Sequence, residues 1–182
     1  MLFEHAVIIT SKDEYQYIRL GRKGSSEKII LDEELDGDKA IVKARLLRML
    51  KDGYHDDVLI VGIDPGRRIG LTALYMRTEL ESRVLLSIVD VVDAVCALVH
   101  GVSASRNIVR IGYGEPRIAM GIASMLYDRL ANDIEIELVD EHGTTSSNGS
   151  PNKRGSRDKA SAKAIAMRRG KQFKPYKVVG VS

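Results

Sequence analysis

From residue 58 the chain runs Val58-Leu59-Ile60-Val61-Gly62-Ile63, six residues without a polar side chain, and stops at a carboxylate, Asp64. An unbroken apolar run of that length reads as a central strand buried on both faces. Pro65-Gly66 come next, and Gly70 leads into a second apolar stretch at 71–76, so the pattern predicts a hairpin whose turn uses Pro and Gly. Downstream it predicts a third strand at 84–89, a helix at 91–100 with Asp90 as its cap, and a fourth strand at 108–112. Glu115-Pro116 then opens a helix that continues through Leu130, with Ile118, Ile122, Met125 and Leu126 on one face. In the fifth strand Ile134, Ile136 and Leu138 alternate with Glu135 and Glu137, the pattern of a half-exposed edge. Residues 143–157 carry Thr, Ser, Asn, Gly and Pro beside Lys153, Arg154 and Arg157, with hardly an apolar side chain, which predicts a loop. A last helix over 157–169 carries Ala160, Ala162, Ala164 and Ala166, small enough to let it approach a sheet closely.

Residues 1–56 form a separate section. A strand is predicted at 6–10, and Ser11 with Glu14 matches a capping box, so a helix should start there and end near Gly21. Residues 28–31 read as a second short strand, and Ile41, Val42, Leu46, Leu47 and Leu50 recur at helical spacing until Gly53. A unit of about 55 residues is marginal alone, so it is expected to pack on the remainder of the chain.

With 44% hydrophobic and 29% charged residues the chain shows neither the low hydrophobicity of a disordered polymer nor any apolar run near the length of a membrane span. The start, Met1-Leu2-Phe3-Glu4-His5, lacks the basic region and long apolar stretch of a secretory signal, which predicts a cytoplasmic protein with no membrane partner. The single cysteine, Cys96, falls among Val92, Val95 and Val99 and is expected to be a buried thiol. His5, His55, His100 and His142 have no zinc-type spacing, which excludes a structural zinc site. Net charge is only +3, but residues 1–142 hold 18 basic against 24 acidic groups, whereas residues 143–182 hold ten basic groups and one acid, Asp158. A C-terminal segment of that kind is either a solvated charged tail or the footprint of a polyanionic partner.

The order of three strands, helix, strand, helix, strand, loop and helix, with acids after the first, fourth and fifth strands and at the start of the last helix, resembles the ribonuclease H-like fold. More narrowly, residues 57–170 resemble the RuvC-type Holliday junction resolvases and their YqgF-type relatives. Gly62-Ile63-Asp64-Pro65-Gly66 with Ile69-Gly70 is similar to the family's first strand and hairpin, and Asp158-Lys159-Ala160-Ser161-Ala162 to its acid-bearing last helix. Val139-Asp140-Glu141-His142-Gly143-Thr144-Thr145 resembles the YqgF-type D-E-R-x-T-T segment, with His142 in place of Arg. RuvC-type enzymes carry a second acid three residues after the last-helix Asp, where this chain has Ser161. The expected architecture is therefore α/β: a five-stranded mixed sheet of ribonuclease H-like type flanked by helices over 57–182, with a small N-terminal α/β extension over 1–56.

What the resemblance implies is a nuclease dependent on Mg²⁺ or Mn²⁺, acting on structured nucleic acid: Holliday-junction-like DNA or precursor ribosomal RNA. Symmetric cutting of a four-way junction needs two active sites, so that substrate implies a homodimer. Acids at the carboxyl ends of neighbouring parallel strands can converge across long sequence separations. Clustered carboxylates bind hard divalent cations, and two such ions can activate a water and stabilise a leaving oxygen. Asp64, Glu141 and Asp158 are the expected metal ligands, with Glu115 as a further catalytic candidate. Asp140 is an alternative to Glu115 or Glu141, because adjacent strand residues point to opposite faces. Asp64 can also be read as a turn residue, Glu115 and Asp158 as acids favourable at helix starts. Lys153, Arg154, Arg157, Lys159 and Lys163 are the expected nucleic-acid contacts. Two other readings stay open: a nucleic-acid-binding module whose active site has degenerated, and an actin-like ATPase, against which stands a single hairpin of this type.

Overall fold

The structure is a computed structural model describing residues 7–21, 28–51, 56–140 and 154–175, without the side chains of 19–21 and 154. The chain divides into two compact units, 1–56 and 57–182. Among the described residues no helix is long and apolar enough to cross a membrane.

The first unit is a βαβ turn followed by a helix. Strand β1 (Val7–Thr10) runs parallel to β2 (Lys28–Leu31), from Val7 opposite Lys28 to Thr10 opposite Leu31, and helix α1 (Lys12–Gly21) connects them. Ser11 caps α1 as expected, its hydroxyl accepting from the Glu14 amide at 3.3 Å. Helix α2 (Lys39–Leu50) starts at Asp38, whose carboxylate accepts from the amides of Ala40 and Ile41. Among the described residues of this unit, Ile30, Ala40 and Ala44 are the buried apolar ones.

The second unit holds strands β3 (Val58–Asp64), β4 (Ile69–Tyr75), β5 (Thr78–Leu85), β6 (Arg106–Gly112), β7 (Glu135–Val139) and β8 (Lys171–Gln172). They form one mixed sheet in the order β5-β4-β3-β6-β7-β8. Strands β4 and β8 are antiparallel to their neighbours, while β3, β6 and β7 are mutually parallel. The expected five-stranded sheet thus becomes six-stranded. β8 pairs with β7 at Glu137 and Leu138, so β7 is not the edge its alternation suggested. Strand β3, predicted as a central strand, is paired on both sides, and Leu59, Val61 and Ile63 are fully buried.

Helix α5 (Arg154–Ala166) covers one face, against β3 and β4. Helices α3 (Ile88–Val102) and α4 (Pro116–Leu130) pack on each other and on the sheet. Several boundaries differ from the sequence pattern. The third strand starts at Thr78 rather than 84, because a two-residue turn at Met76 (φ 48°) and Arg77 (φ 62°) folds the chain back at once. That turn needs positive φ at both central residues, a conformation that side chains other than Gly, Asn or Asp rarely signal. Helix α3 is capped by Ser87, not Asp90: the Ser87 hydroxyl accepts from the Asp90 amide at 3.1 Å. Helix α5 begins three residues earlier than expected and ends at Ala166. Cys96 on α3 is half-buried rather than buried, at the border of the stripe formed by Val92, Val95 and Val99.

Candidate active-site cleft

Two glycines on the sheet set the position of α5. A Cβ on Gly62 would lie 2.1 Å from the Ala162 carbonyl oxygen, and one on Gly70 2.2 Å from that of Asp158. The helix backbone therefore rests directly on β3 and β4, with Ala162 and Ala166 fully buried. Two polar contacts hold it there. Thr72 Oγ1 on β4 donates to the Lys159 carbonyl at 3.2 Å, and Arg110 Nη1 on β6 donates to the Ala166 carbonyl at 2.5 Å. Arg110 is itself paired across the strands with Glu137, Nε to Oε2 at 2.8 Å, and the Gly170 amide donates to the same oxygen at 3.1 Å. The ion pair thus ties the end of α5 and the chain leading into β8 to the sheet.

Asp158 lies four residues before Ala162, on the same side of α5, and reaches the end of the sheet where β3 finishes in Asp64. The two carboxylates, 94 positions apart in sequence, line one cleft of about 590 Å³ with Pro65, Gly66, Arg67, Arg68 and Arg157. Asp64 is half-buried and Arg67 exposed. Arg68 Nε stands 3.3 Å from Asp158 Oδ2, with the side chains 44% and 23% exposed. That buried oxygen nonetheless accepts no hydrogen bond within the described residues, so the contact is Coulombic and misaligned. With two acids and three arginines the cleft carries a small positive charge, suited to a phosphate beside a carboxylate-held cation.

The other expected site residues separate into groups. Glu115 stands at the start of α4, exposed and without a side-chain capping bond, and does not line the cleft. Of the strand-end acids expected to converge, Asp64, Glu115 and Glu141, Glu115 thus does not join Asp64 in the cleft. Its role there is the ordinary one of an acid beside a helix N-terminus. Asp140 follows β7 and is exposed. In register Ile63 faces Ile111 and Gly112 faces Val139, so the ends of β3 and β7 lie two strand spacings apart, roughly 10 Å. Glu141 and Lys153 lie outside the described residues, as does the side chain of Arg154. Arg157 lines the cleft and Lys159 is exposed on α5. Lys163 is engaged by Glu79 on β5, Nζ to Oε2 at 2.8 Å.

Among the described residues no three His, Cys, Asp or Glu side chains come together as a metal-binding group. Two hard oxygen donors at an open cleft, one of them an orphaned buried acceptor, do suit Mg²⁺, which is commonly held by one or two carboxylates plus water and substrate phosphate. Arg67, Arg68, Thr72 and Arg110 were missed from sequence. Only the first two had a readable signal, two cations immediately after Asp64-Pro65-Gly66. No protein-family model matches the chain, and no curated protein matches its sequence.

Proposed function

We propose that the second unit is a metal-dependent nuclease of ribonuclease H-like architecture, hydrolysing phosphodiester bonds in structured nucleic acid. The observation that carries this reading is the meeting of Asp64, from the first strand of the sheet, with Asp158, from the last helix, in a cleft lined by three arginines. A turn acid and a helix-start acid with only local roles have no reason to share a cleft. The order of elements around them is the one that pointed to this fold class.

Asp64 and Asp158 would hold Mg²⁺ or Mn²⁺, which when bound supplies water activation and charge neutralisation at the scissile phosphate. Arg67 and Arg157 line the same cleft and provide positive charge with which a phosphodiester backbone would be bound and oriented. The glycine seats on β3 and β4 keep α5, and with it Asp158, at a fixed height above the sheet, which is the preorganisation such chemistry demands. Four-way junction DNA and precursor ribosomal RNA are the substrates to test first, the former with a homodimer.

A second reading, a binding module of the same fold without catalysis, is favoured by Ser161 and by the two rather than three carboxylates at the described cleft. The test is a cleavage screen over four-way junction, flap, duplex and structured RNA substrates with Mg²⁺ or Mn²⁺, comparing wild type with Asp64→Asn. Metal-dependent cleavage that disappears in the variant is expected. Tight binding by both proteins with cleavage by neither would select the binding module.

A further inference from the structure

The contact between Arg68 and Asp158 is a weakly built ion pair in a place where a strong one is easy to build. In the same sheet Arg106 grips Glu135 with two bonds, Nε to Oε1 and Nη2 to Oε2, both 2.7 Å. Arg68 Nε stands 3.3 Å from an Asp158 oxygen that is buried and accepts no hydrogen bond from the described residues. The guanidinium instead rests on helix backbone: a Cβ on Gly155 would lie 3.1 Å from Arg68 Nη2. It is also 44% exposed and is borne on the β3–β4 hairpin, so it can leave Asp158 without disturbing the core.

Resting on the nuclease reading above, we propose that Arg68 is an exchangeable counter-cation that occupies the metal-binding face of Asp158 until a nucleic-acid phosphate draws it away. A monovalent guanidinium and a divalent cation on the same carboxylate oxygen repel each other, so Arg68 lowers the affinity of the empty cleft for metal. A phosphodiester entering the cleft that Arg67 and Arg157 line offers Arg68 a paired acceptor with better geometry than Asp158 does. Once Arg68 turns to the phosphate, Asp158 is released to the cation. Metal and nucleic acid therefore bind with positive coupling, and by linkage each raises the affinity of the other by the same factor. Arg68 is a positioning residue in this scheme. It sets when the carboxylate is available and leaves the metal to Asp64 and Asp158.

The experiment is a Mn²⁺ titration of the full chain, followed by the electron paramagnetic resonance signal of free Mn²⁺ and by Mn²⁺-dependent thermal stabilisation, with and without an oligothymidylate. Arg68→Gln is expected to tighten Mn²⁺ binding roughly three- to tenfold without nucleic acid, and to shrink the oligothymidylate-induced gain seen in wild type. Arg68→Lys, which keeps the charge, should stay near wild type, and adding Asp158→Asn to Arg68→Gln should erase the tightening. If Arg68→Gln binds Mn²⁺ no better than wild type while Asp64→Asn abolishes binding, the exchange proposal is overturned and the metal site stands. If neither wild type nor Arg68→Gln binds Mn²⁺, the metal-dependent reading falls and takes the exchange with it.

Discussion

Gly62→Ala tests the packing on which the whole cleft depends. The added Cβ would sit 2.1 Å from the Ala162 carbonyl oxygen and 2.6 Å from both the amide nitrogen and the Cβ of Ala166. Restoring an ordinary carbon-to-oxygen contact of about 3.3 Å requires α5 to retreat by roughly 1.2 Å. The clashing atoms are helix backbone and an alanine Cβ, so no flexible side chain can turn aside instead. A gap of that size forfeits about half of the dispersion attraction along the interface, where Ala162, Ile165 and Ala166 are buried. It also strains the Thr72 and Arg110 bonds to the helix carbonyls. The expected loss is about 2–4 kcal/mol, from the upper half of the usual cost of inserting one methylene in a packed core to somewhat beyond it. The assay is urea unfolding followed by far-ultraviolet circular dichroism, and the control is the same substitution where space exists. At Gly121 in α4 a Cβ would meet only Ile88 Cδ1 at 3.6 Å, so Gly121→Ala should stabilise by roughly 0.5–1 kcal/mol through helix propensity alone. Because the retreat moves Asp158 relative to Asp64, Gly62→Ala should also weaken Mn²⁺-dependent stabilisation in whatever fraction remains folded. A Gly62→Ala protein within about 0.5 kcal/mol of wild type would refute the close seating of α5 on β3.

Removing one partner of the buried pair between Arg110 and Glu137 leaves the other charge uncompensated. Glu137→Leu should therefore cost about 3–5 kcal/mol, and Arg110→Met with Glu137→Leu should recover most of it in a double-mutant cycle by urea unfolding. The Arg106 guanidinium, chiefly by hydrogen bonding, holds the Glu135 carboxyl below the ordinary glutamate range. A depressed carboxylate contributes stability above its unfolded pKa and loses it as pH falls through the folded one. Both side chains are largely exposed, so the contribution is about 0.2–1 kcal/mol, and melting of Glu135→Gln should converge on wild type as the pH drops into the acid range. For nucleic-acid binding, Arg67→Ala with Arg157→Ala should flatten the logarithmic salt slope by roughly 0.7–0.9 for each phosphate no longer neutralised. Lys163→Ala, whose amine is taken by Glu79, should leave the slope unchanged in the same fluorescence anisotropy titration.

Much of this architecture is written in local pattern. The apolar run 58–63 reads as a strand, and the structure pairs it on both sides; Ser11 and Pro116 mark element starts, and of the alanines of the last helix Ala162 and Ala166 form the close-packing face. Hydrophobic periodicity and capping act over a few residues, which is why they can be read without a fold. What they could not show is anything decided by partners distant in sequence. Strand β5 begins in polar residues that pair only because the Met76-Arg77 turn lays them beside β4, and β8 is two residues that become a strand only because β7 offers an edge. The candidate site divides in the same way. Asp64 was marked by its own neighbours, and Asp158 by standing alone among basic groups. That the two share a cleft, and that Arg68 lies against Asp158, were decided by Gly62 and Gly70, whose missing side chains let a helix from the end of the chain settle onto the strands that deliver the first acid.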